Sequence, residues 1–266
     1  MRDITLGQFV AGNSLLHQCD PRTKILIMIV YVAMVFFVES IPAFILPFAF
    51  LLLALILSKI PVSYILKSLK PIRLLLVFMF ILNLFFTTGE HEIFQIWIWR
   101  LTWEAIYQSF FITIRIALLV TGASLLTLTT SPIKLTDGIE RLMNPLRVIH
   151  FPAHELAMMM TIALRFIPTL IEESDKIMKA QLSRGADLES GNLFARVKSM
   201  IPILIPLFVS SFRKADELAT AMESRCYHGG EGRTRLHSLK FGKQDLFAGL
   251  ITLAFFGATL AVFIIW

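Results

Sequence analysis

A chain of 266 residues that is 56% hydrophobic, with a mean hydropathy of +0.72, is a multi-pass membrane protein rather than a soluble domain or a disordered segment. Its net charge of +6 does not point to nucleic acid, because the basic residues fall where membrane topology wants them. Cys19 and Cys226 fall in segments expected in the cytosol, so no disulfide is expected, and Met1–Asp20 shows no apolar core of a cleavable leader.

The first strong signal is Asp20-Pro21-Arg22. An acidic cap followed by proline at the first helical position predicts a helix start. Arg22 and Lys24 then anchor the cytoplasmic end of the first span. His17 and Asp20 make only a lone pair of candidate metal ligands, too few for a site. Apolar runs predict spans over Ile25–Val38, Ala43–Leu57 and Leu74–Thr87, each short against the roughly 20 residues that cross lipid. Between the second and third, Ser58–Arg73 places Lys59, Lys67, Lys70 and Arg73 among leucines, the pattern of an interfacial helix. Thr88–Trp103 is an outer loop with Trp97, Trp99 and Trp103 at a headgroup boundary. A fourth span, Ala105–Thr130, contains Arg115, which is expected to snorkel or pair within the bundle rather than to act.

Beyond Pro132 the composition changes. A short amphipathic stretch, Pro132–Phe151, precedes two long helices, Ala153–Arg184 and Leu193–Arg225. The first spaces Leu156, Met160, Leu164, Ile167 and Ile171 three or four apart, which puts them on one face. The second has an apolar centre, Met200 to Phe212, too short for a comfortable span. Each ends in alanine, three residues and arginine: Ala180 to Arg184, then Gly185, and Ala221 to Arg225, then Cys226. Arginine near a helix C-terminus is favoured by the dipole, and its fork also suits a partner's carboxylates. One helix cap needs one arginine; two equivalent tips suggest two plugs for two sockets. Ordinary capping of two helices is the plain alternative. Pro168, Pro202 and Pro206 remove helix bonds and allow kinks. Met158, Met159, Met160, Met178 and Met200 crowd the same region, as on surfaces that accept different partners, or as core fillers.

Charge decides the expected topology. If neither long helix crosses, sixteen of the 25 Lys and Arg lie in the inside segment Ser131–Lys243, and only Arg100 and Arg115 lie outside the cytoplasmic segments. The final span is Asp245–Trp266. The expected fold is all-α: a cytoplasmic segment at 1–24, spans one to four over 25–130, a cytoplasmic domain of long crossing helices at 131–243, and a fifth span at 244–266, with the C-terminus outside. No phosphate-binding loop occurs, and His154-Glu155 lacks a second zinc histidine because Met158 stands there. No cofactor or metal is expected, and a polytopic membrane enzyme is a distant alternative.

These residues resemble the transmembrane component of energy-coupling factor (ECF) transporters over nearly the whole chain. Gly7, Gly12, Ser14, His17 and Asp20-Pro21-Arg22 with Lys24 are similar to the family's opening, and the two long helices to its coupling helices. The signatures Ser183-Arg184-Gly185 and Ser224-Arg225-Cys226 depart from the family's Ala-Arg-Gly pattern in their flanking residues but keep both arginines. The resemblance implies two cytosolic ABC-type ATPase subunits as partners, one gripping each arginine. It also implies a small, interchangeable membrane subunit that captures a vitamin and rests on the surface around Met158, Met159, Met160, Pro168, Met200, Pro202 and Pro206. A module dedicated to cobalt or nickel is the alternative within the family.

Overall fold

In the computed structural model, residues 9–87, 92–96, 99–149, 151–186, 192–229 and 241–265 are described; Gly7, Trp97, Asp187, Ser190, Gly230 and Gly232 lie outside them. The elements are α1 (Leu15–Gln18), α2 (Pro21–Phe36), α3 (Ile45–Ser58), α4 (Val62–Leu69), α5 (Arg73–Phe86), strands β1 (Glu92–Ile96) and β2 (Trp99–Thr102), α6 (Trp103–Thr129), α7 (Pro132–Met143), α8 (Ala153–Ser183), α9 (Leu193–Glu223) and α10 (Lys243–Ile265). The chain is helical as expected, with one short antiparallel pair among the described residues, β1–β2, with Gln95 opposite Arg100 and Ile96 opposite Trp99, where the sequence led us to expect a loop.

Two units form. The larger contains Met1–Leu142 and Ser238–Trp266, the smaller Met143–His237. Within the larger unit α2 begins where the sequence says it should: the Asp20 carboxylate accepts from Arg22 N and Pro21 occupies the first turn. Tyr31, Met34, Val35, Val38, Phe50, Phe111 and Leu118 make the core between α2, α3 and α6. Tyr31 lies against Gly122, where an added Cβ would come within 2.5 Å of the ring, and its hydroxyl donates to Leu118 O at 3.1 Å. Gly138 of α7 similarly admits Pro21, whose Cβ would stand 2.9 Å from an added one. Arg115 donates from Nη2 to Val38 O at 2.6 Å and lies over the Phe111 ring at 4.5 Å, so one arm of its fork is engaged beside the end of α2.

Three described helices are long and apolar enough to cross a bilayer, α6, α8 and α10, and a fourth candidate is the bent pair α4–α5. Helix α2 has 16 residues and α3 has 14, which at 1.5 Å per residue gives roughly 21–24 Å against a hydrocarbon core of about 30 Å. Helix α8 qualifies by length and composition, although the sequence analysis keeps it out of the bilayer. Its apolar residues concentrate before Glu172, and Glu172, Glu173, Asp175, Lys176 and Lys179 follow.

Candidate functional site: an arginine-tipped helix pair

The two arginine motifs end their helices in the same way. After Arg184, Gly185 turns to a φ of +86°; Gly185 N donates to Leu182 O at 3.0 Å and Ala186 N to Gln181 O at 3.0 Å. After Arg225, Cys226 turns to a φ of +55°; Cys226 N donates to Glu223 O at 2.9 Å and Tyr227 N to Met222 O at 3.1 Å. Both are Schellman caps, in which the left-handed residue lets two amides reach back to the last carbonyls. The backbone therefore satisfies its own helix ends, and neither arginine is needed as a cap. Ser183, Arg184, Gly185, Ser224, Arg225 and Cys226 are all exposed, so both guanidinium groups project from finished helix ends. At the second tip the left-handed position that glycine holds at the first is taken by Cys226.

Helices α8 and α9 run antiparallel and touch between Met158 and Gln181 of α8 and Pro202 and Tyr227 at the other side. Tyr227 Oη donates to Met158 Sδ at 2.9 Å, Lys214 Nζ pairs with Glu173 at 3.0 Å, and Gln181 Nε2 donates to Pro202 O at 3.2 Å. The last contact has a specific cause. Pro206 has no N–H, so the carbonyl four residues earlier, Pro202 O, loses its helical partner, and Gln181 supplies one. Between the other two levels Ile162, Phe166 and Leu170 face Ser211, Ala215, Leu218, Ala219 and Met222 across a cavity of about 310 Å³. Small side chains on α9 leave it open.

Antiparallel pairing places the tips far apart. Arg184 lies just beyond the Gln181–Pro202 contact, and Arg225 just before the Met158–Tyr227 contact. The 26 residues from Met158 to Arg184 correspond to roughly 40 Å of helix. One hairpin thus presents two identically capped arginines at opposite ends.

The remaining site residues separate into two groups. Met159, Met160, Pro168, Met200, Pro202 and Pro206 are exposed, and Met158 is half-buried. Ile201, Leu204, Ile205, Phe208, Val209 and Phe212 of α9 are also exposed and form an apolar face. His17, Asp20, Pro21 and Arg22 lie instead in the larger unit. His17 donates from Nε2 to Val10 O at 2.9 Å, and its Nδ1 accepts from the Ser14 hydroxyl at 2.6 Å, so both ring nitrogens are engaged. Asp20 receives both nitrogens of the Arg22 fork, at 3.1 and 2.9 Å. Burial pushes its carboxyl up, but the Arg22 hydrogen bonds and charge outweigh this and hold it below the ordinary carboxylate value. Asp20 N donates to Asp245 Oδ1 at 2.7 Å, Arg22 covers the Phe241 ring at 4.1 Å, and Lys24 Nζ donates to Thr129 O and Thr130 Oγ1. The opening motif is thus a buried joint that ties α2 to the start of α10 and the end of α6. Asp245 was not singled out in the sequence, since nothing local marks a partner 225 residues away.

Apolar helices long enough to cross a bilayer, a helix pair with an exposed arginine at each end and an exposed apolar face on α9 define a helical membrane protein. The comparisons agree with that class. The profile of the cobalt transport protein family CbiQ matches residues 12–236. The energy-coupling factor transporter transmembrane protein EcfT of Clostridium kluyveri is 52% identical over 254 residues, covering 95% of this chain and 94% of its own. That of Acidaminococcus fermentans is 51% identical over 269 residues, covering 100% and 98%, and that of Bacillus subtilis 45% over 256, covering 96% and 97%. The chain belongs to this family of energy-coupling factor transporter transmembrane proteins.

Proposed function

We propose that the chain joins two cytosolic ABC-type ATPase subunits to one small membrane subunit that captures a vitamin, and that it passes ATP-driven motion from the former to the latter. The observation that carries this reading is the pair of identically capped, exposed arginines at opposite ends of α8–α9. Two like tips roughly 40 Å apart suit two like sockets, one on each ATPase. Arg184 and Arg225 dock there, with Ser183, Gly185, Ser224 and Cys226 giving the close approach. The apolar face around Met159, Met160, Met200 and α9 holds the capture subunit. Exposed methionines adapt to more than one partner surface, which favours a module shared among interchangeable capture subunits over one dedicated to cobalt or nickel. In the bilayer the chain has five spans, with residues 131–243 and the N-terminus in the cytoplasm and the C-terminus outside, because this arrangement leaves few Lys and Arg outside.

The test is the double variant Arg184→Ala/Arg225→Ala, read by co-purification of the ATPases and by uptake in vesicles. An exposed capping arginine contributes about 0.3–1 kcal/mol, whereas one bonded to a partner carboxylate costs about 2–5 kcal/mol when truncated. The expected result is a folded, inserted protein that no longer retains its ATPases, each single variant being weaker in effect. Normal assembly and uptake in the double variant would remove the docking role.

A further inference from the structure

The segment between α3 and α5 carries charge without counter-charge. Lys59, Lys67, Lys70 and Arg73 lie within 15 residues, and no Asp or Glu occurs between Glu39 and Glu90. All four are exposed, and none forms an ion pair with a carboxylate among the described residues. Helix α4 turns Ile65 inward, 5% exposed, onto Leu125 and Leu128 of α6. Val62 and Leu66 are 54% and 62% exposed, and at 100° per residue both lie to one side of Ile65 while Lys67 and Lys70 take the face away from it. Lys67 Nζ sits 5.5 Å from the centre of the Tyr64 ring. At Lys70-Pro71-Ile72 the chain bends by 58° into the apolar α5. A short helix steeply angled to an apolar one, with apolar flanks, a tyrosine and uncompensated cations, has the build of a helix lying in a headgroup layer.

We infer that α4 and its flanks form a binding surface for anionic phospholipid headgroups. Val62 and Leu66 enter the acyl boundary, and Lys67, Lys70 and Arg73 meet the phosphates. The occupant follows from charge complementarity: the protein itself supplies no described carboxylate here, so the neutralising charge comes from the bilayer. The topology proposed above determines only which leaflet supplies the lipid; binding itself does not depend on it.

The experiment uses the full-length protein purified in a neutral detergent. Phosphatidylglycerol or phosphatidylcholine with the same acyl chains is titrated in, and the melting temperature is followed at low and high salt. Phosphatidylglycerol is expected to raise the melting temperature more than phosphatidylcholine, and high salt to erode the difference. Lys67→Gln/Lys70→Gln/Arg73→Gln should weaken the apparent affinity for phosphatidylglycerol on the order of a hundredfold and leave the phosphatidylcholine response alone. Lys67→Arg/Lys70→Arg should retain the preference, as should Lys176→Gln/Lys179→Gln on α8. Equal response to both lipids, an unchanged affinity in the triple variant, or full replacement of the lipid by inorganic phosphate overturns the proposal. If the triple variant is not recovered folded, a wild-type preference that persists unchanged in high salt overturns it equally. Mixed micelles have no sidedness, so failure here is distinct from failure of the topology.

Discussion

Cys226 holds a backbone position that glycine holds at the equivalent place one helix earlier. A left-handed residue with a Cβ is strained by roughly 1–2 kcal/mol, and Gly185 avoids that strain. Cys226→Gly should therefore stabilise the protein by about 1 kcal/mol and leave ATPase retention intact, measured as melting temperature and co-purification. A lower melting temperature would mean that the thiol makes contacts worth more than the strain. Gly185 was legible as a helix stop because glycine advertises this conformation. Cys226 was not, because a non-glycine residue in the same conformation carries no such mark. Asp20-Pro21 was legible for the opposite reason: its capping chemistry is local, with the acceptor and the amide two residues apart. Its bond to Asp245 belongs to the tertiary fold and leaves no trace in the neighbouring sequence.

Helices and their order followed the hydropathy pattern closely, since each apolar run is bounded by proline, glycine or charge. What hydropathy does not encode is how closely two helices approach. Gly122 against Tyr31 is such a case. Gly122→Ala forces the ring out of its place and should destabilise by about 1–3 kcal/mol. Gly257→Ala in α10 meets nothing within 4 Å and should be neutral or stabilising by up to about 1 kcal/mol. Equal melting temperatures for both variants would contradict this packing. The proline in α9 gives a second test at this scale. Pro206→Ala restores an N–H able to bond Pro202 O and makes Gln181 redundant. Melting temperature should rise while uptake falls, because a stiffer helix transmits motion differently. Gln181→Ala should lower the melting temperature in the wild type and have little effect in the Pro206→Ala background. Equal effects of Gln181→Ala in both backgrounds would show that the amide does not serve that carbonyl. The pairing of Gln181 with Pro202 was not legible, although the prolines were, because a freed carbonyl can be satisfied from any direction.

For the whole molecule, charge distribution and helix length make different demands. Lys and Arg placement argues for α8 on the cytoplasmic side, whereas its length and composition would permit it to cross. Cysteine introduced at Ser190 separates them. With residues 131–243 in the cytoplasm, a membrane-impermeant thiol reagent should fail to label it in intact cells and succeed once they are opened. Efficient labelling from outside would refute the five-span arrangement. The β1–β2 pair was missed at this scale because tryptophans signal an interface and not a backbone conformation.

The antiparallel course of α8 and α9 has one more consequence. Arg184 terminates one helix and Arg225 the other, at opposite ends, so forces that drive the two tips toward each other push the helices in opposite axial directions. The load is a shear across their common seam, where a cavity of about 310 Å³ leaves the packing loose. The Glu173–Lys214 pair and the Gln181–Pro202 bond act as pins that set the register. Slipping by a single residue brings the tips about 1.5 Å closer and loads both pins together.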